Sequence, residues 1–374
     1  MSLARDIADL ASVTTRLDTV GAASGSFGVG RNVLVNGAMN VAQRATSATG
    51  LGGNADSYHT IDRFKLGAEG TTAGRLTMTQ DSSGPSGFAN SLKLACTTAD
   101  TSIGSGELLV LSQIIEGQDL QRFAKGTSDA KPFAVSFYVK GNASATYVCE
   151  LFDGDNSRHV CKTFSVTTDW TRVELSFPAD TTGAFGDDNG ASLYLQIFLH
   201  AGSSFNSGTL PATWASKTNA NRAAGGGSFF DSTARTFFIT GIQLEETSVT
   251  DFEHRSFGDE LVRCMRYCQN LSAITANPYL ANATVHTSTV MTAIINLGVQ
   301  MRTTPTVTLS GTAGNYSTYE KATARVVTAY GTNGFSASGG GINFTVASGL
   351  TIGSAAGVYI TSGADTKSII EAEL

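Results

Sequence analysis

The side chains capable of acid–base, nucleophilic or metal chemistry are few and dispersed. Five histidines, His59, His159, His200, His254 and His286, lie far apart along the chain. They read as surface or hydrogen-bonded residues and not as a ligand set. The cysteines Cys96, Cys149, Cys161, Cys264 and Cys268 are odd in number and lack metal-site spacing, so free thiols are expected. Cys264 and Cys268 share one face of an expected helix, but no two further ligands stand nearby at a suitable spacing. In FGDDNG, Asp187, Asp188 and Asn189 suit a turn better than a calcium loop. The chain has no GxSxG, no HExxH, no P-loop and no GxGxxG opening a helix. No catalytic residue, cofactor or metal is expected, and the chain reads as a non-enzyme.

Recognition without bond-breaking needs a different set of side chains. Sugars stack their C–H faces on rings and take hydrogen bonds from polar groups around them. Tyr58, Phe205 and Trp214 fall in or near expected loops. Further along, NYSTYEKATARVVTAYGTNGF sets Tyr316, Tyr319, Tyr330 and Phe335 among Ser, Thr, Asn and Gly. Aromatic anchors with small polar neighbours resemble adaptable binding surfaces. Tyr58, Trp214, Tyr316, Tyr319, Tyr330 and Phe335 are therefore the glycan-binding candidates. Core packing or contacts between sister chains are the alternative role for each.

Such residues need a scaffold, and the composition indicates its class. The chain has 374 residues, 41% hydrophobic but only 15% charged, with 41 glycines and 6 prolines. Many glycines and few charges suggest strands joined by tight turns. Nine stretches read as strands: 75–80, 91–97, 107–115, 133–140, 145–152, 158–166, 171–177, 192–200 and 235–244. In SLYLQIFL, Leu193, Leu195, Ile197 and Leu199 share one face while Tyr194, Gln196 and Phe198 take the other. Strands this closely spaced predict a jelly-roll-like β-sandwich over 31–256. The turn DGDNS, folded about Asp155, is expected to set Cys149 opposite Cys161. Residues 115–123 suggest one helical turn. Residues 257–270 suggest a connecting helix with Leu261, Met265 and Tyr267 toward a core. The rest, to residue 374, reads as a smaller β domain.

Residues 2–20 predict a helix capped by Ser2 and stopped by Gly21. Leu3, Ile7, Leu10 and Leu17 follow a heptad rhythm, with Thr14 in the remaining slot. About two and a half heptads are marginal alone, so this helix is expected to pack on sister chains, a partner or the body. GAASGSFGVG (21–30) then serves as a spacer, making 1–30 an attachment or trimerisation unit. The formal net charge of −6 gives no bulk attraction to nucleic acid. No run of about 18 apolar residues suggests a membrane-inserting helix. Asp6 and Asp9 interrupt what would be a signal peptide's apolar segment, so assembly in a cytoplasm is expected.

NVLVNGAMNVAQR (32–44), SYHTIDRF (57–64), FGDDNGASLYLQIFLHAGSSFNSGTLPATW (185–214) and FFITGIQLEETSVTDFEHRSFGDELVRCMRYCQ (237–269) together resemble a group of tailed-phage virion proteins, described as tail-fibre or fibre-like. The resemblance covers roughly 31–270, with a family-like ending in IIEAEL. Cys268 departs from it, standing where a second tyrosine is common. In that group the first motif opens a carbohydrate-binding-module-like sandwich and the last closes it. The resemblance implies a virion location, assembly in the host cytoplasm, a homotrimer, and contact with other virion proteins through the N-terminal helix. It also implies adhesion to host surface polysaccharide. A purely structural capsid, neck or decoration protein and a glycan-degrading tailspike are the alternatives. The residues themselves suggest that the motifs hold the fold: Gly241 as a bulge, Phe252 and Tyr267 as clamps, Asp62 and Arg63 as an ion pair.

Overall fold

A computed structural model describes residues 30–70, 73–271, 279–309, 311–361 and 367–374. The expected N-terminal helix, with Leu3, Ile7, Leu10 and Leu17, lies outside the described residues. The described chain is mainly β. The sandwich comprises β1 (Ser47–Leu51), β2 (Asp56–Ser57), β3 (Lys65–Glu69), β4 (Arg75–Asp81), β5 (Ser91–Thr98), β6 (Leu108–Glu116), β7 (Phe133–Gly141), β8 (Ala145–Asp153), β9 (Arg158–Val166), β10 (Thr171–Phe177), β11 (Ala191–Ala201), β12 (Ala215–Ser216) and β13 (Thr236–Glu246). One sheet runs β1-β4-β5-β13-β7-β10 and the other β12-β9-β8-β11-β6-β3-β2. Strands 5-13-7-10 facing 9-8-11-6 give a jelly-roll order. All nine expected strands form, two of them (158–166 and 171–177) with the expected ends and seven with ends shifted by one or two residues.

Alternation explains the packing. Phe133, Val135, Phe137 and Val139 of β7 meet Leu193, Leu195, Ile197 and Leu199 of β11 in a single core. Each such side chain contributes about 1.5–3 kcal/mol, opposed by the entropy of ordering the chain. The expected turn near 115–123 is two short 3₁₀ segments, and the second places Phe123 flat on Phe133 at 4.2 Å. Gly241 interrupts the β13–β7 register as expected. Its φ is +63°, and a Cβ there would sit 2.7 Å from the Phe88 ring.

The hairpin between β8 and β9 departs from expectation by one residue. Asp153 pairs with Arg158, so the turn holds four residues, and Cys149 faces Lys162 while Glu150 faces Cys161. A one-residue slip swaps faces. Cys149 enters the core, Cys161 lies on the outer face, and all five cysteines are free.

The opening and closing motifs bind each other. The Asn32 side chain accepts from the amides of Leu34 and Leu244 and donates to the carbonyl of Ile242. Glu253 accepts from the amides of Gly30 and Asn32, and Arg255 donates to the carbonyls of Leu34 and Asn32. The helix Phe257–Met265 is capped by Ser256, whose hydroxyl accepts from the Asp259 amide. It ends earlier than expected, and its buried residues are Glu260 and Cys264, not Leu261 and Met265. The reason is polar: Glu260 accepts from the Asn36 amide and faces Arg255. These residues close the sandwich on itself.

The remaining strands are β14 (Cys268–Asn270), β15 (Tyr279–Val285), β16 (Val290–Asn296), β17 (Thr306–Leu309), β18 (Tyr316–Glu320), β19 (Thr323–Ser336), β20 (Gly339–Val346), β21 (Ala355–Ile360) and β22 (Ser368–Glu371). A closed barrel runs β15-β16-β20-β19-β18-β21, and β14-β22-β17 form a small sheet beside it. The chain's last residues then return to the sandwich. Arg44 meets Glu371 at 2.5 Å and Glu373 at 2.9 Å. Arg63 pairs with Glu373 and donates to the Ile114 carbonyl, with its guanidinium 3.5 Å from the Tyr267 ring centroid. Asp62 and Arg63 are therefore not paired with each other. Arg63 has φ of +72°, and Asp62 instead accepts from Gln43 and lies 3.7 Å from Arg44. Glu373→Ala should cost about 3–5 kcal/mol in chemical unfolding, because it leaves a buried guanidinium without a carboxylate. Glu371, whose side chain is 34% exposed, should cost under about 1 kcal/mol when changed to Ala. Equal losses would contradict this account of the joint.

Candidate functional site

The outer face of the second sheet carries side chains that a solvated face does not need. On β11, Tyr194, Gln196 and Phe198 alternate with the core residues, and β8 adds Glu150 and Phe152 beside them. Across β6, Val110, Ser112 and Ile114 continue the same face, and β3 brings Lys65, Gly67 and Glu69. Between β11 and β13 the chain crosses this face. Phe205, Leu210 and Ala223 pack there on Leu108, Val110, Val148, Cys161 and Phe198, forming a small apolar cluster separate from the main core.

Arg222 nails this crossing segment down. Its Nε lies 3.1 Å from both Glu150 carboxylate oxygens, and its Nη2 lies 2.7 Å from Oε2. Nη2 also donates to Gln196 Oε1. Glu150 is fully buried and holds His159 Nδ1 at 2.8 Å. Burial pushes the Glu150 carboxyl up, but the His159 hydrogen bond and the Arg222 charge outweigh it. The net direction is below the usual carboxylate value. Glu150, His159 and Cys161 bring three donor atoms within 4.8 Å of one another. The cation in that cluster is already Arg222. Burial and the Glu150 charge push the Cys161 thiol well up, which disfavours a thiolate ligand. The donor set suits a guanidinium better than a metal ion.

Beside the crossing segment a groove of about 140 Å³ stays open. Val110, Ile114, Phe198 and Gly67 lie at its floor; Tyr194, Gln196 and Arg222 line one side, and Asp56, Lys65 and Glu69 the other. Gly67 is needed for the slot, because a Cβ there would come within 3.0 Å of the Val110 side chain. Tyr194 and Phe152 are half-buried, with ring centroids 5.4 Å apart. Arg222 and Lys217 lie over the Phe152 ring at 5.4 and 5.1 Å. Lys65 is paired with Asp56 at 3.1 Å. With Phe152 covered by Arg222 and Lys217, Tyr194 is the ring of the groove lining that can stack on a sugar face, with hydroxyl, amide and carboxylate groups beside it to fix the sugar's hydroxyls.

The expected site residues fall elsewhere. Trp214 is 8% exposed, with its indole N–H donated to the Pro178 carbonyl and its ring 5.3 Å from the buried Lys125 ammonium. Tyr316 is fully buried in the barrel core. Neither can face a ligand, because each is consumed by packing. Tyr58 sits in the joint, its hydroxyl donated to the Leu374 carbonyl and its ring 5.3 Å from the Arg44 guanidinium. Phe335 packs against the barrel core. Tyr319 and Tyr330 are exposed on the barrel, at 43% and 37%, and Tyr330 donates to the Leu309 carbonyl. Asp188 accepts from the Gly190 amide, the turn role expected of that segment. The sequence did place Tyr194, Gln196 and Phe198 opposite the core face of their strand. It could not show that β3, β6 and β8 would complete a groove around them.

No protein-family model matches the chain, and no curated protein matches it. Among solved structures, similar ones include a CBM4 structure, with 11% identity, 57% of this chain and 98% of that chain covered, and a TM-score of 0.28. TmCBM61 in complex with β-1,4-galactotriose gives 10%, 58%, 99% and 0.29 for the same measures. The family 11 carbohydrate-binding module from Clostridium thermocellum, in complex with a β-1,3-1,4-mixed-linked tetrasaccharide, gives 9%, 55%, 98% and 0.27. At this distance the function has to be read from the chain's own residues.

The clamp has a pH signature. Because the folded pKa of Glu150 is depressed, its contribution is complete above the unfolded value of about 4.3 and is lost as pH falls through the lower folded value. Amide exchange across 202–228, normalised to intrinsic rates, should stay slow from pH 7 to about pH 5 and accelerate below about pH 4. Protection unchanged at pH 3 would show that Glu150 does not hold this segment.

Proposed function

We propose that this chain is a non-enzymatic glycan-binding protein whose ligand lies in the groove on the outer face of the second sheet. The observation that carries this reading is the partly exposed Tyr194 ring, backed by Phe152, at the side of a concave site with Ser112, Gln196, Lys65 and Asp56 around it. An apolar floor with a few convergent polar groups is the usual make-up of a small-ligand site. Two features speak for binding without hydrolysis. Asp56 and Glu69 lie open to solvent, whereas the acid of a glycosidase sits desolvated. The buried carboxylate beside the groove, Glu150, is committed to Arg222 and His159.

In this reading the protein serves as an adhesive, fibre-like part of a tailed-phage virion, working as a homotrimer on host surface polysaccharide. The motifs that resemble those proteins support it, and their residues here close the sandwich. Large apolar residues on the barrel exterior, Tyr279, Ile294, Tyr319 and Val326, offer surface for sister chains. Three linked copies would turn a weak site into a firm grip through effective concentration. A purely structural virion role is the second reading, favoured by how many motif residues are spent on closing the fold.

Tyr194→Ala separates the two. Losing an aromatic contact of about 0.5–1.5 kcal/mol should weaken binding to the best ligand on a glycan array roughly two- to tenfold. The circular-dichroism spectrum should not change. Wild-type protein that binds no glycan on the array would favour the structural role, and a variant that binds as well as wild type would put the ligand away from this groove.

A further inference from the structure

We infer that the groove selects uncharged or amine-bearing sugars against acidic ones, with Glu69 as the residue that sets the preference. This rests on the glycan-binding reading above and adds a ligand class to it.

Selection depends on which charges at the groove are free. Two cations line the groove, and both are spent. Lys65 is paired with Asp56, and Arg222 is held by both oxygens of Glu150. Arg222 cannot turn to a ligand carboxylate without leaving Glu150 buried and uncompensated, and Lys65 carries Asp56 beside it, so that pair adds no net positive charge. Glu69 differs. It is exposed, and no ion pair or hydrogen bond engages its side chain among the described residues. It stands on the same face of β3 as Gly67, whose missing side chain opens the slot, and it pairs across with Leu108 of β6. Beyond the groove, Lys217 lies over Phe152. Lys217 is not among the residues that line the groove. Among those that do, Glu69 is left without a counter-charge once Lys65 is set against Asp56 and Arg222 against Glu150, so the lining is net negative, in a molecule already at −6. An approaching polyanion is repelled within roughly 10 Å at ordinary salt, while an ammonium is drawn in.

The test compares wild type with Glu69→Lys. Glu69 is exposed, so the fold should survive the change. Both proteins are run on an array of neutral, amine-bearing and acidic oligosaccharides, and by affinity electrophoresis in polygalacturonate at low and at physiological salt. Wild type should bind neutral or amine-bearing chains and be retarded by polygalacturonate only weakly, even at low salt. Glu69→Lys should bind polygalacturonate roughly two- to fivefold more tightly than wild type, with the gain shrinking as salt rises. Wild type binding acidic chains as well as neutral ones, or a variant with unchanged preference, would overturn the charge selection alone. No binding to any chain, with Tyr194→Ala indistinguishable from wild type, would overturn the glycan reading and this inference with it.

Discussion

The groove depends on one buried contact, the fork of Arg222 around the carboxylate of Glu150. A buried carboxylate is tolerated only when paired and hydrogen-bonded. Glu150 sits at the centre of a sheet face, so its partner has to be brought to it. The segment that brings Arg222 must therefore cross that face, and in doing so it covers one end and leaves the other open. The apolar contacts of Phe205, Leu210 and Ala223 add area to the crossing but no direction. The guanidinium fork supplies the direction, because its donors fit a carboxylate in only a few orientations. The same group reaches Gln196 and the Phe152 ring, so one side chain fixes the loop, a polar wall and an aromatic edge.

A second set of arginines does comparable work at the junction with the barrel. Arg44, Arg63 and Arg302 hold the returning tail through Glu371, Glu373 and the carbonyls of Ala372 and Glu373. The barrel is thus attached by its own final residues as well as by β14, and the tail seats Tyr58 where a sugar contact had been expected. Residues in this junction are architectural, which accounts for much of the motif content of the sequence.

Much of the sandwich was legible because its strands alternate cleanly, as in β7, β10 and β11. What the sequence hid was pairing. The β8–β9 turn differs from the expected one by a single residue, which is enough to send Cys149 inward and set Glu150 against Cys161. Alternation names the two faces of a strand but not which strands adjoin it, so Tyr194 and Gln196 could be seen facing outward while the groove around them could not. Trp214 and Tyr316 misled for a related reason. Loop position and polar neighbours suggest exposure, but a large ring near a core gains more from burial than from display.

A ligand held on the sandwich face, and not on the barrel, leaves a distinct mark in hydrogen-exchange mass spectrometry of the full chain with and without a bound oligosaccharide. Protection by ligand should be confined to Lys65–Glu69, the middle of β11 and the stretch around Lys217–Arg222. Protection on the barrel strands that carry Tyr319 and Tyr330, with the sandwich face unchanged, would move the site to the barrel.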